Sequence, residues 1–227
     1  MKRWMIVPFI LFISTLCFAD VTIVQKMETG AMMGQPAQNT VMTMYVKGNK
    51  GRIETKANPS YQILDLQANK MYMVDPSKKE VMVMSLDMMK AAGGMMSGMG
   101  KNMKFNIQKT GKTMNISGYN CQEYNITASG LFNLNVNQWV TEDIEIKEFE
   151  AFREFTEGMM RMIGQEEMMK IKGVAVRSES KMNMMGQDVT SRTELQSISQ
   201  DSLPDSLFSV PSDFQVKEMN LPKMQQQ

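Results

Sequence analysis

The chain has 227 residues, a formal net charge of +1 and no histidine. The length allows one domain with a sizeable core, and no basic stripe in this near-neutral chain points to nucleic acid binding. Without histidine, the chain lacks the commonest general base and the commonest zinc ligand. No G-x-S-x-G motif offers an activated serine, so the sequence favours a protein that is not an enzyme and has no cofactor.

The chain begins with a segment typical of a cleaved signal peptide. A positive pair of residues precedes an apolar run over residues 4–18, which is too short for a comfortable membrane span. Small residues at Cys17 and Ala19 predict cleavage after Ala19, and residues 1–19 are therefore predicted to be a signal peptide. This places the protein in the periplasm or outside the cell. Lipidation of Cys17 is the alternative, although Leu16 occupies a position where a small residue is normally found.

Cleavage leaves Cys121 without a partner for an intramolecular disulfide. We predict a buried structural thiol there, because no His or cationic cluster accompanies it in the sequence to activate it. Residues 20–218 are predicted to form a single β-rich domain, and residues 219–227 a polar C-terminal tail. No later apolar run is long enough to span a membrane, so we expect the protein to be soluble after cleavage.

Short strands separated by turn residues follow the signal segment. The sequence GNKG and the sequence DPSKK are hairpin turns within this series. Because the links are short, the strands are predicted to form an antiparallel meander rather than βαβ units. The strand candidates are VTIVQKME, NTVMTMYVKG, KGRIETKA, YQILDL, NKMYMVD, KEVMVMS, MKFNIQK, KTMNISGYNCQEYNIT, LFNLNVNQWVTED, GVAVRSESKMNMM and DVTSRTELQSIS.

Methionines recur two residues apart in four of these strands, and period two places both members of a pair on one face. Their neighbours are often Val or Tyr, so both faces of the sheet are predicted to be apolar and covered. The pairs are Met42 and Met44, Met71 and Met73, Met82 and Met84, and Met182 and Met184.

The segment KEFEAFREFTEGMMRMIGQEEMMK predicts an amphipathic helix laid on an apolar surface. Gly158 and Gly164 are predicted to bend or end this helix. The stripe that supports it consists of Phe149, Phe152, Phe155, Met159 and Ile163, which recur at intervals of three and four.

The segment MMKAAGGMMSGMG, residues 88–100, combines methionines with glycines. Its glycines favour a mobile lid, with Met88, Met89, Met95, Met96 and Met99 covering apolar surface. Because soft thioethers select Cu(I), a copper site formed by Met95, Met96, Met99 and Met103 is the alternative. A third interpretation is that methionine replaces Leu and Ile in an ordinary core.

Three motifs resemble one bacterial family. They are Gly-x-x-Cys-x-x-Tyr in GYNCQEYNIT, Trp-Val-Thr in NQWVTEDIEI, and Leu-Phe-x-Val-Pro in DSLFSVPSDFQV. The family is known as domain of unknown function forty-four-twelve, and the resemblance runs from about residue 21 to residue 216. It implies an exported envelope protein with a LolA-like half-barrel, in which an antiparallel sheet wraps an apolar groove and helices cover it. Relatives with that fold shuttle or sense lipidated molecules. The methionine and glycine density over residues 88–103 departs from the ordinary pattern.

The predicted fold is mainly β with α: a curved antiparallel sheet, half-barrel and LolA-like, covered by one or two helices. The predicted function is a non-enzymatic periplasmic binding or carrier protein with an apolar, methionine-rich groove. Its expected partner is a lipid or lipoprotein acyl chain, with no nucleic acid and with transient membrane contact. The alternatives are a Cu(I)-binding or copper-tolerance protein and a structural envelope protein whose interior is filled. The groove walls are predicted to be Met42, Met44, Met71, Met73, Met82, Met84, Phe149, Phe152 and Phe155.

Overall fold

The computed structural model describes residues 20–31, 36–88, 104–129, 133–145, 149–162, 166–184 and 187–219. The predicted signal peptide, most of the Met/Gly segment and the end of the C-terminal tail lie outside these residues. The strands are β1 (Val21–Thr29), β2 (Gln38–Lys47), β3 (Lys50–Thr55), β4 (Asn58–Asp65), β5 (Lys70–Asp75), β6 (Glu80–Ser85), β7 (Lys104–Ile116), β8 (Tyr119–Ser129), β9 (Asn133–Thr141), β10 (Val174–Met184), β11 (Gln187–Ser199) and β12 (Gln215–Glu218). The helix α1 spans Phe149–Met162, and 3₁₀ helices span Glu166–Lys170 and Asp205–Phe208.

All twelve strands belong to one open sheet, in the order β12-β6-β5-β4-β3-β2-β1-β11-β10-β9-β8-β7. Every neighbouring pair is antiparallel except β12 and β6, which run parallel. The predicted fold class and the meandering connectivity are therefore confirmed. The first strand lies in the middle of the sheet, because β1 pairs with β2 on one side and with β11 on the other.

The two predicted hairpin turns are present. Gly48 adopts a φ of 53° between β2 and β3, a left-handed conformation that glycine reaches without steric cost. In the turn from β5 to β6, the Asp75 carboxylate accepts a hydrogen bond from the backbone N–H of Ser77 at 3.0 Å. This Asx-type contact replaces a backbone turn bond, and it explains why Asp-Pro-Ser marks the turn in the sequence.

The sequence prediction was wrong about the strands around residue 116. MKFNIQK and the first part of KTMNISGYNCQEYNIT form one strand, β7, whose pairing with β8 shifts register between Lys109 and Thr113. The second part is β8, and the turn between them has Ser117 at a φ of 52° and Gly118 at a φ of 90°. Gly111 lies between the two predicted segments, and its φ of 82° is accommodated by this bulge.

The β1–β6 part of the sheet is apolar on both faces, as predicted. On the inner face, which carries Val46 and Leu64, the buried side chains form a core cluster with Phe155 of α1. On the opposite, outer face a second cluster contains Ile63, Val74, Val81 and Val83, with Val210 and Phe214 packed against it. The segment before β12 therefore covers one face, and α1 covers the other.

Helix α1 is seated on the sheet by a close contact between Phe155 and Gly51. Phe155 is only 1% exposed, and a Cβ atom at Gly51 would lie 2.3 Å from its ring atom Cζ. Gly51 pairs with Val46 and with Leu64, so the aromatic ring occupies the space that a side chain would fill in that row. Gly158 does not end the helix, which continues to Met162, and it allows Leu66 to approach closely.

Candidate functional site: two cavities on the inner face

The predicted methionine walls lie on one face of the sheet. Backbone register aligns Met71 with Met84 and Met73 with Met82 on the adjacent strands β5 and β6. One cross-strand row runs through Ile23, Met44, Ile53, Gln62, Met73 and Met82. A second runs through Val21, Val46, Gly51, Leu64, Met71 and Met84, and Met42 belongs to a third with Gln25 and Thr55. All six methionines therefore share the face on which α1 packs.

The first cavity, here called the roofed cavity, has a volume of about 540 Å³ and lies between the sheet and α1. Such a volume is ordinary for a small-molecule site, and most of the lining is apolar. Polar groups are also present, including the Arg153 guanidinium, whose Nη1 lies 2.8 Å from Glu157 Oε1. Its apolar lining consists of Ile23, Met44, Val140, Met160, Met168, Met169, Ile171, Val174 and Ala175.

The second cavity, here called the edge cavity, has a volume of about 590 Å³ and lies on the β3–β6 part of the sheet, beside β12. Two ion pairs form among its charged residues: Lys78 Nζ lies 2.9 Å from Asp75, and Lys217 contacts Glu80. Hydrogen bonds from the Ser77 hydroxyl and from Lys78 lower the pKa of Asp75 to about 2. Its apolar lining consists of Ile53, Tyr61, Met73, Val74, Val81, Met82 and Met219.

The two cavities are connected by the first cross-strand row. Ile23 and Met44 at one end of the row line the roofed cavity. Ile53, Gln62, Met73 and Met82 at the other end line the edge cavity. The inner face thus presents a mainly apolar track across six strands, about 24 Å long at the usual spacing of neighbouring strands.

The predicted wall residues have different positions along this track. Met44 lines the roofed cavity, and Met73 and Met82 line the edge cavity. Met71 packs against the inner core, and Phe155 is buried within it. Met42 and Met84 are half-buried on the same face but line neither cavity.

Several predicted residues cannot be placed in this way. The side chains of Phe149 and Phe152, and the residues Met89, Met95, Met96, Met99 and Met103, lie outside the described residues. Met88 is described as half-buried, and its backbone N–H donates to Ser85 Oγ at 3.0 Å. The lid and the loop copper site therefore stay predictions.

A domain family matches this chain over residues 27–214, and its description is domain of unknown function, DUF4412. The chain belongs to the DUF4412 family. The match agrees with the resemblance carried by the Gly-x-x-Cys-x-x-Tyr, Trp-Val-Thr and Leu-Phe-x-Val-Pro motifs. Among the curated proteins, none matches this DUF4412 chain.

Solved structures similar to the DUF4412 chain share little sequence with it. PNGF-II aligns with a TM-score of 0.44 and 15% identity over 89% of this chain, which spans 31% of that protein. A DUF1329 family protein from Desulfovibrio piger gives a TM-score of 0.40 and 12% identity, over 85% of this chain and 90% of the other. A domain from Vibrio parahaemolyticus, described as outer membrane lipoprotein-sorting, gives 0.37 and 11%, over 84% and 89%.

A third cavity, of about 800 Å³, is polar and lies where β1, β9, β10 and β11 adjoin. Its charged groups already form ion pairs, with Arg192 at 3.0 Å from Glu194 and at 3.6 Å from Glu179. Most of its other lining side chains are Asn, Gln, Ser and Thr, so few apolar side chains line it. The two inner-face cavities carry more apolar side chains than this one.

Cys121 of the DUF4412 motif is buried, as predicted. Its side chain is 1% exposed, and burial raises the pKa of its thiol. A neutral buried thiol is a poor nucleophile, because the thiolate is the reactive form. The motif cysteine therefore packs in the core cluster that also contains Trp139 and Ile116.

The sequence analysis missed several residues that form the cavities. Met168 and Met169 belong to the 3₁₀ helix after α1 and line the roofed cavity beside Met160. Met219, which directly follows β12, lines the edge cavity. Adjacent methionines after the helix were the available signal, but their position depends on how α1 docks, which the sequence pattern does not specify.

Proposed function

We propose that this DUF4412 protein is a non-enzymatic carrier or binding protein of the periplasm, exported by a signal peptide that is cleaved after Ala19. Its ligand is a lipid or lipidated molecule whose acyl chain lies on the inner face. The observation that supports this proposal most strongly is the apolar track that joins the roofed cavity to the edge cavity.

The lining of the track suits a flexible apolar ligand. Methionine is unbranched and polarisable, so it adapts its packing to ligands of irregular shape. Met44 lies on the sheet side of the roofed cavity, while Met160, Met168 and Met169 belong to the helical side. A ligand between these walls would exchange water for thioether and aliphatic contacts on both sides, which is favourable in proportion to the apolar area buried.

Membrane attachment of the carrier itself is not part of the proposal. No helix within the described part of the chain is long and apolar enough to span a membrane. Contact with a membrane would be transient, at the moment when the ligand is taken up or delivered.

The proposal is tested by titrating the mature full-length protein with a fluorescent long-chain fatty acid. We expect saturable binding, and we expect Ala175→Trp to weaken it strongly, because the indole would occupy the roofed cavity that Ala175 lines. Ala68→Trp is the matched control, since Ala68 is exposed in the turn between β4 and β5 and lines neither cavity.

Two outcomes would contradict the proposal. The first is a native protein that does not bind the fatty acid, which would favour a structural envelope protein with a filled interior. The second is an Ala175→Trp variant that unfolds at the same temperature as the native protein and binds equally well. In that case the ligand would not use the roofed cavity.

A further inference from the structure

Three methionine side chains line the edge cavity, two from neighbouring strands and one from the residue that directly follows β12. Met73 and Met82 are directly opposite each other on β5 and β6. Met219 follows β12, and its backbone N–H donates to the carbonyl oxygen of Val83 at 2.9 Å. This bond continues the parallel register of β12 with β6, in which Lys217 pairs with Met82, and so it places Met219 on the inner face.

The backbone register places Met82 between the other two methionines. Cβ atoms of directly opposed residues lie about 4.5–5.5 Å apart, and diagonal neighbours about 7–8 Å apart, within reach of long side chains. Met73 and Met82 form a direct pair, and Met219 is diagonal to Met82. A methionine sulfur is two bonds beyond Cβ, so the thioethers of Met73 and Met219 can each approach that of Met82, which lies between them.

The chemistry of this set is specific. Thioether sulfur is a soft ligand that selects Cu(I) over hard cations. In the described part of the chain, no group of three or more His, Cys, Asp or Glu side chains is placed to hold a metal ion. Glu54, Asp75 and Glu80 line the same cavity with Lys78 and Lys217, so the local charge does not repel a monovalent cation.

The edge cavity also provides access for an ion. Met82 is 39% exposed, although it lies on the face that carries the inner core. An ordinary core methionine would be buried, whereas a site that exchanges its ion needs at least one ligand open to solvent. The roofed cavity has more methionines, but Met44 and Met160 come from opposite walls, so register does not bring their sulfur atoms together.

We propose that Met73, Met82 and Met219 form a binding site for one soft monovalent cation, Cu(I), at the edge cavity. Its three proposed ligands are not among the methionines of residues 88–103. It does not depend on the lipid-binding proposal, because its ligands are held by strand pairing.

The test uses the mature full-length protein and two probes: Ag(I), which is stable to oxidation, and Cu(I) in competition with a chromophoric chelator. With methionine methyl groups labelled with ¹³C, we expect one equivalent of Ag(I) to shift three methyl resonances. These should be the resonances that disappear one by one in Met73→Leu, Met82→Leu and Met219→Leu. The triple variant should lose the competition for Cu(I), because leucine matches methionine in size but has no sulfur.

Two matched variants locate the site. Replacing Met44, Met160, Met168 and Met169 by leucine removes the methionines of the roofed cavity and should leave the binding of Ag(I) and Cu(I) unchanged. Replacing Met95, Met96, Met99 and Met103 by leucine should also leave it unchanged. The proposal is overturned if the native protein binds neither ion, or if either of these variants loses binding while the triple variant keeps it. If the triple variant does not fold, the methyl shifts of the native protein and the single variants decide.

Discussion

The roofed cavity and the edge cavity share one sheet face and one residue type, yet they are built differently. Methionines of the roofed cavity stand on opposite walls, one on β2 and the others on α1 and the 3₁₀ helix. In the edge cavity, Met73 and Met82 stand side by side on neighbouring strands, and Met219 is diagonal to Met82. Opposed thioethers leave a space that an apolar chain can fill, and adjacent thioethers can share one ion. The arrangement of methionine, more than its abundance, therefore distinguishes the two ligands proposed for these cavities.

The largest effect is expected at Phe155, which holds helix α1 against the sheet beside the roofed cavity. Phe155→Ala should lower the free energy of unfolding by about 3–5 kcal/mol, because a fully buried aromatic ring is lost. Fatty acid binding should fall with it, while Ag(I) binding at the edge cavity should persist in the folded protein. Urea unfolding followed by the fluorescence of Trp139, which is buried, measures the stability.

Phe214→Ala is the control for this change, because Phe214 is only half-buried and packs on the outer face. It should cost less stability and leave fatty acid binding intact. Loss of Ag(I) binding in folded Phe155→Ala would show that the two cavities are not independent.

A second prediction concerns the contact between helix α1 and the sheet. Gly51→Ala should destabilise the protein by about 1–3 kcal/mol, since the new methyl group would overlap the ring of Phe155. In the double variant Gly51→Ala/Phe155→Leu, the smaller leucine side chain leaves room for the new methyl group. The double variant should therefore lose less stability than the sum of the two single variants. Strictly additive losses in urea unfolding would mean that the helix docks by other contacts.

Cys121 provides a reference outside both cavities. Cys121→Ala should cost about 1–2 kcal/mol through lost packing and should change neither fatty acid nor Ag(I) binding. Because burial raises the thiol pKa, the stability it contributes is complete below the pKa of the unfolded thiol and is lost as the pH rises through the folded value. The alkaline loss should be smaller in the variant. Labelling of native Cys121 by a thiol reagent as fast as that of a free peptide would contradict its burial.

The smallest effect is expected at the turn beside the edge cavity. The pKa of Asp75 is lowered from 3.8 to about 2, so its contribution is present above 3.8 and is lost as the pH falls toward 2. Asp75→Asn should slightly reduce the urea midpoint at neutral pH and flatten its decline between pH 3.8 and about 2. A decline equally steep in the variant would assign the acid sensitivity to other carboxylates.

Much of the sheet could be predicted because its residues follow local rules. The pairs Met71/Met73 and Met82/Met84 obey period two, and their strands are linked by a turn whose Asp and Pro signal it. The helix was predictable from its Phe and Met stripe, and its docking residue, Phe155, was among the residues named. The shared face of the paired methionines followed from periodicity alone, but periodicity did not identify a ligand.

The remaining features depend on contacts that periodicity does not encode. Strand β12 has four exposed residues without an apolar alternation, and its parallel partner β6 is distant in the sequence. Nothing local could have placed Met219 beside Met82. Similarly, the side of Met168 and Met169 that faces the sheet is decided by how α1 rests on Gly51, which requires the tertiary structure.

The central position of β1 has a consequence for how the chain folds. Thr22 pairs with Ser199, so the middle of the sheet joins the first described strand to one of the last. Closing so long a loop is entropically costly, and topologies dominated by such distant pairs fold slowly. Asp20 reinforces the same junction, because its buried carboxylate accepts a hydrogen bond from the backbone N–H of Leu203 at 2.6 Å. The two halves of the sheet, β1–β6 and β7–β11, therefore join only when nearly the whole chain has been made.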